Sequence, residues 1–289
     1  MNQSAKISIV TPSLNQAHYL EKTILSVLSQ DYPNLEYIII DGGSTDGSIE
    51  IIKKYEHKLA YWISEPDHNM YEAVQKGFEK CTGDIMAWIN SDDTYFSGAL
   101  SIVEEIFSGF KEVSWLQGIP AHFDEKGRCV AVFPLRRWSK YDYYTGNYKW
   151  IQQEATFWRR ELWEKAEGRV FRTSKIAGDL ELWLHFFRFE KLYVTPALLG
   201  GFRIRSSEQL SLDYMKLYEA EAESLIKSEP LAKNEMAKVG RIKTLICLNK
   251  YFVAIRFPIA SRFIIRRIEK LKDYPPVIEF NRFTQNFCR

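Results

Sequence analysis

Asn90-Ser91-Asp92-Asp93 sets two adjacent carboxylates directly after the apolar run Ile85-Met86-Ala87-Trp88-Ile89. That run reads as a buried strand, and carboxylates at the end of one are costly unless a cation neutralises them. A divalent metal carrying a diphosphate would do so, because Mg²⁺ and Mn²⁺ prefer carboxylate oxygens and often share them with substrate phosphates. The competing reading is a helix N-cap, with Asp92 or Asp93 capping a helix that starts near Ser97. Asp41, followed by Gly42-Gly43, poses the same choice. The glycines permit close approach of a ligand, and the carboxylate could accept the imide N–H of a uracil or thymine ring. Asp-Gly is equally a common turn pair.

These carboxylates need elements to hold them. Ile7-Ser8-Ile9-Val10 reads as a strand ended by Thr11-Pro12-Ser13, and Leu20, Ile24, Val27 and Leu28 recur at helical spacing up to Pro33. Tyr37 to Ile40 reads as the second strand, with a helix marked by Ile49, Ile52 and Tyr55. Leu59 to Ile63 reads as the third, with a helix over Met70–Lys80, and Ile85 to Ile89 as the fourth. Strands that are apolar throughout, each followed by a helix, predict a mostly parallel sheet covered on both faces. Ligands bind beyond the carboxyl ends of such strands. Thr11 and Ser13, Asp41, Glu65 and Asp67, and Asp92 and Asp93 fall at those ends.

Further along, Val113–Phe123 and Cys129–Phe133 read as strands around the turn Asp124-Glu125-Lys126-Gly127. Glu161–Ala166 and Asp179–Phe189 read as helices. Leu192–Ile204 holds a strand broken by Gly200-Gly201, and helix is expected from about Ser211 to about Lys272.

The chain has 289 residues, 46% hydrophobic and 26% charged, which suits an ordinary globular protein of one or two domains. Lys+Arg 39 against Asp+Glu 37 does not point to a nucleic-acid partner. Cys81, Cys129, Cys247 and Cys288 show neither metal-ligand nor redox spacing, so they read as free thiols in a reducing compartment. Met1 leads straight into a strand without a signal-like region, and no apolar stretch is long enough to span a bilayer; the expectation is a cytoplasmic protein. Neither GxGxxG nor GxxxxGK[ST] occurs, which argues against a dinucleotide oxidoreductase and a P-loop NTPase.

Taken in order, Ile9-Val10-Thr11-Pro12-Ser13-Leu14-Asn15, Ile40-Asp41-Gly42-Gly43-Ser44-Thr45-Asp46-Gly47, Glu65-Pro66-Asp67 and Asn90-Ser91-Asp92-Asp93 resemble the motifs of family-2 glycosyltransferases of the GT-A fold. The resemblance spans roughly the first 210 residues. It implies that Thr11, Pro12 and Asn15 belong to the nucleoside side of the donor site and that Asp41 contacts the base. Asp67 and Glu65 would lie at the pocket wall or the donor sugar. Asp92 and Asp93 would contact ribose and metal, with Asp93 the direct metal ligand.

On the acceptor side the resemblance matches Gln152-Gln153-Glu154-Ala155-Thr156-Phe157-Trp158-Arg159-Arg160. Gln153 and Glu154 could hydrogen-bond sugar hydroxyls. Trp158, with Trp150, Trp163, Tyr141, Tyr143, Tyr144 and Tyr148, offers flat faces for pyranose rings, or else ordinary core packing. Asp179 matches the acidic residue that opens a helix and serves as general base; Glu181 is the fallback, and an N-cap is the structural alternative. Arg205 stands where the family often has a His that binds metal or diphosphate. Arg cannot ligate a metal, so Arg203 and Arg205 would neutralise the diphosphate, unless they are surface residues at a strand end. His68 reads as a solvated loop residue.

Residues 241–272 hold nine Lys/Arg and one Glu among Phe, Ile, Val and Leu. Such a segment suits an anionic membrane surface, or a helical cap with a solvated basic face. Pro258 must kink or split it.

The expected fold is α/β, GT-A-like, a mostly parallel Rossmann-like sheet flanked by helices with a C-terminal helical extension. Residues 1–210 would be catalytic, 1–95 binding the nucleotide sugar and 96–210 the acceptor, with the extension over 211–289. The expected function is an inverting glycosyltransferase dependent on Mg²⁺ or Mn²⁺. It would move sugar from a UDP- or dTDP-sugar to a saccharide or lipid-linked acceptor in surface polysaccharide or glycolipid synthesis, in the cytoplasm at the inner face of the plasma membrane. The alternatives are a sugar nucleotidyltransferase, which usually shows a Gly-rich loop after the first strand, and a non-catalytic sugar-binding protein of the same fold.

Overall fold

A computed structural model describes residues 4–147, 150–168, 174–206 and 214–289. The first third follows the predicted alternation: β1 (Ile7–Ser13), α1 (Ala17–Leu28), β2 (Leu35–Asp41), α2 (Ser48–Tyr55), β3 (Tyr61–Ser64), α3 (Met70–Phe78) and β4 (Ile85–Trp88). After these come β5 (Thr94–Tyr95), α4 (Ala99–Gly109), β6 (Trp115–Gln117), β7 (Ala121–Phe123), β8 (Cys129–Val132) and α5 (Lys140–Tyr144). Next are β9 (Thr156–Arg159), α6 (Arg160–Lys165), α7 (Gly178–Phe189), β10 (Tyr193–Val194) and β11 (Gly200–Arg203). The C-terminal part holds α8 (Met215–Ser228), α9 (Lys233–Ala254), α10 (Pro258–Lys272), β12 (Glu279–Asn281) and β13 (Asn286–Cys288).

A seven-stranded sheet runs β10-β6-β9-β4-β1-β2-β3. Strands β4, β1, β2 and β3 are mutually parallel, while β9 enters antiparallel between β4 and β6. Every residue of β1 is buried, as expected of a strand covered on both faces. β1 does not end at Val10 but continues through Thr11-Pro12-Ser13, pairing with β2. Pro12 is tolerated because it lies beyond Val10↔Trp88, the last pairing of β1 with β4. Ser13 pairs with Asp41 and Asp41 with Ser64, so three strand ends finish level on one rim.

Gly200-Gly201 does not break a strand; it begins one. β11 joins a four-stranded sheet, β5-β11-β7-β8. A Cβ on Gly200 would sit 1.9 Å from the carbonyl oxygen of Glu154, so only glycine lets β11 pass so close to that backbone.

The acceptor-stacking expectation for Trp158 is corrected. Trp158 is fully buried, edge-on to Trp88 and Trp183, which stack on one another with centroids 5.8 Å apart. The cause is the position of β9, which pairs Trp158 with Met86 on one side and Trp115 on the other. Trp163, Tyr141, Tyr143 and Tyr144 are buried too, whereas Trp150 is exposed; Tyr148 lies outside the described residues.

The C-terminal segment is three helices, and Pro258 splits it as expected by opening α10 at its first turn. The β12–β13 hairpin was not anticipated. Ala222, Ile242 and Ile278 share one hydrophobic core with Ile7 and Trp183, so this part packs on the sheet. Asp142, almost fully buried on α5, receives Lys272 Nζ at 2.7 Å and Tyr274 OH at 3.1 Å, pinning the end of α10.

Candidate active site

At the rim, Asp41 is wholly enclosed. Its Oδ2 accepts the N–H of Gly43 (3.1 Å), the N–H of Ser44 (2.9 Å) and the hydroxyl of Ser64 (2.6 Å), and its Oδ1 accepts the Ser44 hydroxyl (2.5 Å). Asp41 thus ties the loop after β2 to the end of β3, with three hydrogen bonds on Oδ2 and one on Oδ1.

Asp67 lies directly over this loop. A Cβ on Gly42 would come within 2.7 Å of Asp67 Oδ2, so the missing side chain makes the seat for that carboxylate. Asp67 is half-buried, and burial raises its pKa. Asn15 has left-handed backbone (φ 50°), and its side chain accepts the N–H of Thr45 at 2.9 Å, tying the loop after β1 to the loop after β2. Thr11 is buried with its hydroxyl 3.1 Å from Tyr37 OH, and Pro12 is buried beside it, so both form the floor of the rim.

The two central carboxylates take different partners, on β11 and just after it. Asp93 is fully buried; its Oδ1 accepts the Arg203 N–H at 2.8 Å and its Oδ2 has no partner. Burial, then the charges of Asp92 and Glu154, push its pKa well above the carboxylate range. Asp92 is turned towards Arg205, whose Nε lies 3.1 Å from its Oδ2. Burial raises its pKa and Arg205 opposes that shift. Asp93 thus keeps one carboxylate oxygen without a partner, while the Asp92 carboxylate is paired to Arg205 and is the more exposed of the two.

Arg203 is also corrected. It is 1% exposed, with Nε donating to the Asp92 carbonyl (2.6 Å), one terminal nitrogen to the Asp124 carbonyl (2.8 Å) and the other to Thr94 Oγ1 (2.9 Å). It braces the Asp92-Asp93 turn from behind. Thr23 of α1, which pattern reading missed, braces it from the other side by donating to the carbonyls of Ser91 (2.9 Å) and Asp93 (2.7 Å). Nothing local to Thr23 signals this; it reads as an ordinary buried helix residue.

Gln153-Glu154-Ala155 forms a 3₁₀ turn packed against β4, β5 and β11. Glu154 is 2% exposed, its Oε1 lacks a partner, and burial raises its pKa, with Asp92 and Asp179 adding to the shift. Both amide atoms of Gln153 and Oδ1 of Asn90 are likewise buried without partners. Natural proteins rarely leave such atoms unmatched, and here Glu154 and Asn90 neighbour Asp93.

Asp179 stands in the first turn of α7. Burial pushes its pKa up to about 7, opposed by hydrogen bonds from the Leu180 N–H and the Tyr218 hydroxyl. Tyr71 of α3 donates to the carbonyl of Ile176 at 2.8 Å, and Glu221 of α8 accepts the N–H groups of Ile176 and Ala177, both at 3.0 Å. Tyr71, Tyr218 and Glu221 were invisible to pattern reading because they lie on other elements. Glu181 accepts the Ser174 N–H at 3.3 Å behind the same turn. His68 is solvated, with Nδ1 2.6 Å from Glu72.

The donor set suits a hard cation: carboxylates and a side-chain amide oxygen, with unmatched oxygens at the centre. Among the described residues, no group of three His, Cys, Asp or Glu side chains is arranged to hold a metal alone. A cation bound there would therefore need further oxygens from phosphate or water.

The model of glycosyl transferase family 2 matches residues 8–168. The chain belongs to this family. An uncharacterized glycosyltransferase of Mycobacterium tuberculosis is 36% identical over 121 residues, which cover 41% of this chain and 46% of that one. The Bacillus subtilis glycosyltransferase TuaG, provisionally assigned to teichuronic acid biosynthesis, is 35% identical over 97 residues, 32% of this chain and 38% of TuaG. The chain thus spans less than half the length of these relatives. S. aureus TarS 1-349 in complex with UDP-GlcNAc superposes with a TM-score of 0.62 at 15% identity, over 92% of this chain and 83% of that one. The mannosyltransferase PcManGT of Pyrobaculum calidifontis, in complex with GDP-Man and Mn²⁺, gives 0.62 at 14% identity, over 92% and 74%. Both likenesses concern the GT-A fold. In this family-2 chain, the matched segment contains the rim, the Asp92-Asp93 turn and Glu154, while Asp179 follows it.

Proposed function

We propose that the chain is an inverting, metal-dependent glycosyltransferase that moves a sugar from a UDP- or dTDP-sugar to a saccharide or lipid-linked saccharide acceptor. The observation that carries this is the set of largely buried carboxylates Asp92, Asp93 and Glu154 around the end of β4, where Asp93 Oδ2, Glu154 Oε1 and Asn90 Oδ1 lack hydrogen-bond partners, as oxygens awaiting a cation would. The complexes of TarS with UDP-GlcNAc and of PcManGT with GDP-Man and Mn²⁺ support a nucleotide-sugar donor and a divalent cation. TuaG supports a role in surface polysaccharide or glycolipid synthesis.

Asp92 would hold Mg²⁺ or Mn²⁺, with Asp93 buried beside it and fixing the turn through the Arg203 N–H. The cation supplies Lewis-acid stabilisation of the departing diphosphate. Asp67 and the Asn15-tied loops flank the nucleoside, and Arg205 faces the diphosphate beside Asp92. Gln153 and Glu154 orient acceptor hydroxyls. Asp179 takes the proton of the attacking hydroxyl as its oxygen bonds the anomeric carbon, and the bond to the diphosphate breaks on the opposite face, inverting the centre. Residues 1–210 carry this chemistry, 1–95 for the donor and 96–210 for the acceptor; 211–289 form an extension that lends Tyr218 and Glu221. The four unpaired cysteines support a reducing, cytoplasmic setting, at the inner face of the plasma membrane where a lipid-linked acceptor would lie.

Calorimetry with UDP, with and without Mn²⁺, tests this directly. Metal-dependent UDP binding is expected, and its absence removes the reading. Asp179→Asn should keep donor binding and lose transfer; full activity would assign the base elsewhere.

A further inference from the structure

The turn between α9 and α10 exposes apolar side chains that packing elsewhere would bury. Tyr251, Val253, Ile255, Phe257, Ile259 and Phe263 are all exposed, Ile259 by 73% and Phe263 by 70%. Exposed apolar residues occur singly on most surfaces, but a run of this density on one turn marks a contact site. Lys250, Arg256, Arg262, Arg266 and Arg267 are exposed among them.

The hairpin is well formed on its other side. Ile242 and Ile264 are buried, and the Ser261 hydroxyl donates to Asn249 Oδ1 at 2.8 Å, joining the two helices. The far end of α10 is fastened by the Asp142–Lys272 pair. The hairpin is therefore anchored at its base while its tip presents apolar and cationic groups outwards.

We propose that this tip inserts into the surface of an anionic bilayer, the apolar side chains entering the acyl boundary and the cations meeting lipid phosphates. Two observations favour lipid over a protein partner. Cations outnumber acids nine to one over 241–272, which matches a uniformly negative surface rather than a patterned one. The apolar groups also sit at an exposed turn of a helix pair, the form suited to shallow insertion. No described helix is long and apolar enough to cross a membrane, so the contact is one of surface insertion by this segment. The inference deepens the inner-face reading above and rests on it only for the purpose of the contact.

The test is co-sedimentation of the full chain with vesicles of phosphatidylcholine alone or mixed with phosphatidylglycerol. Binding is expected to the mixed vesicles only, to weaken with added salt, and to fall about tenfold in the combined variant Phe257→Ser, Ile259→Ser, Phe263→Ser. Arg256→Glu with Arg262→Glu should abolish it. Circular dichroism and metal-dependent UDP binding of the variants should match the parent, so a failed catalytic reading and a failed membrane reading give different results. Three outcomes overturn the proposal: no vesicle binding, equal binding to neutral vesicles, or a parent chain that is a dimer in solution and becomes a monomer in the serine variant.

Discussion

Glu221 Oε2 accepts the backbone N–H of Ala177 at 3.0 Å, across 44 residues of chain. The same oxygen takes the Ile176 N–H at 3.0 Å. A helix start leaves backbone donors without intrahelical partners, and here a carboxylate from α8 satisfies donors just ahead of α7. The helix carrying Asp179 is thus positioned from the extension. Glu221→Ala should lower kcat with little change in donor KM and cost about 1–3 kcal/mol of stability. Steady-state kinetics and thermal unfolding read the two effects, and Glu221→Gln, which keeps an acceptor oxygen, should recover part of both.

Asp179 must be ionised to accept a proton, and burial pushes its pKa up to about 7. The kcat/KM profile should rise about tenfold per pH unit below that point and level above it. Tyr218 stabilises the carboxylate by hydrogen bonding, so Tyr218→Phe should move the rising limb to higher pH while leaving the plateau nearly intact. A limb that does not move would exclude the Tyr218 contact.

The same group links stability to pH. Its folded pKa of about 7 exceeds the unfolded value of 3.8, so the folded state binds more protons between them. Asp179 therefore destabilises the fold progressively as pH rises from about 4 to about 7. Asp179→Asn should be more stable than the parent at pH 8, by at most a few kcal/mol, with the gap closing towards pH 4. Melting curves across that range decide it.

Lys272 and Asp142 form an ion pair with side chains only 11% and 3% exposed. Removing one partner strands a buried charge. Lys272→Met should destabilise the fold by about 3 kcal/mol, measured by urea unfolding, without altering UDP binding. Its larger effect should be loosening of α10, visible as faster amide exchange there.

Asp92 and Asp93 should behave differently despite adjacency. Asp92→Asn should abolish the Mn²⁺ dependence of UDP binding. Asp93→Asn keeps an oxygen for the Arg203 N–H and relieves a buried charge, so it should retain metal-dependent binding and raise the melting temperature. Calorimetry on both variants distinguishes them; the reverse result would assign the metal to Asp93.

The strand–helix alternation of residues 7–88 and the arrival of polar residues at strand ends were legible along the chain, because apolar periodicity and turn chemistry depend on near neighbours. So was the family, from four ordered motifs later matched over 8–168. Element ends were less legible: Thr11-Pro12-Ser13 reads as a stop, yet pairing with β2 extends the strand through it. Trp158 was misassigned because aromatic content alone does not distinguish a sugar platform from a core.

By itself the sequence determined that buried strands would deliver carboxylates to one rim and that a basic, apolar segment would close the chain. Those properties are local: side-chain type, spacing and the cost of burying charge. Only the tertiary structure decided that Asp93 turns inward to the Arg203 N–H, 110 residues away, while Asp92 turns out to Arg205. It also decided that Tyr218 and Glu221 support Asp179, and that Asp41 ties its loop to Ser64 of β3. Each of these depends on which distant backbone donor fills a carboxylate's lone pairs, and spacing along a chain does not encode that.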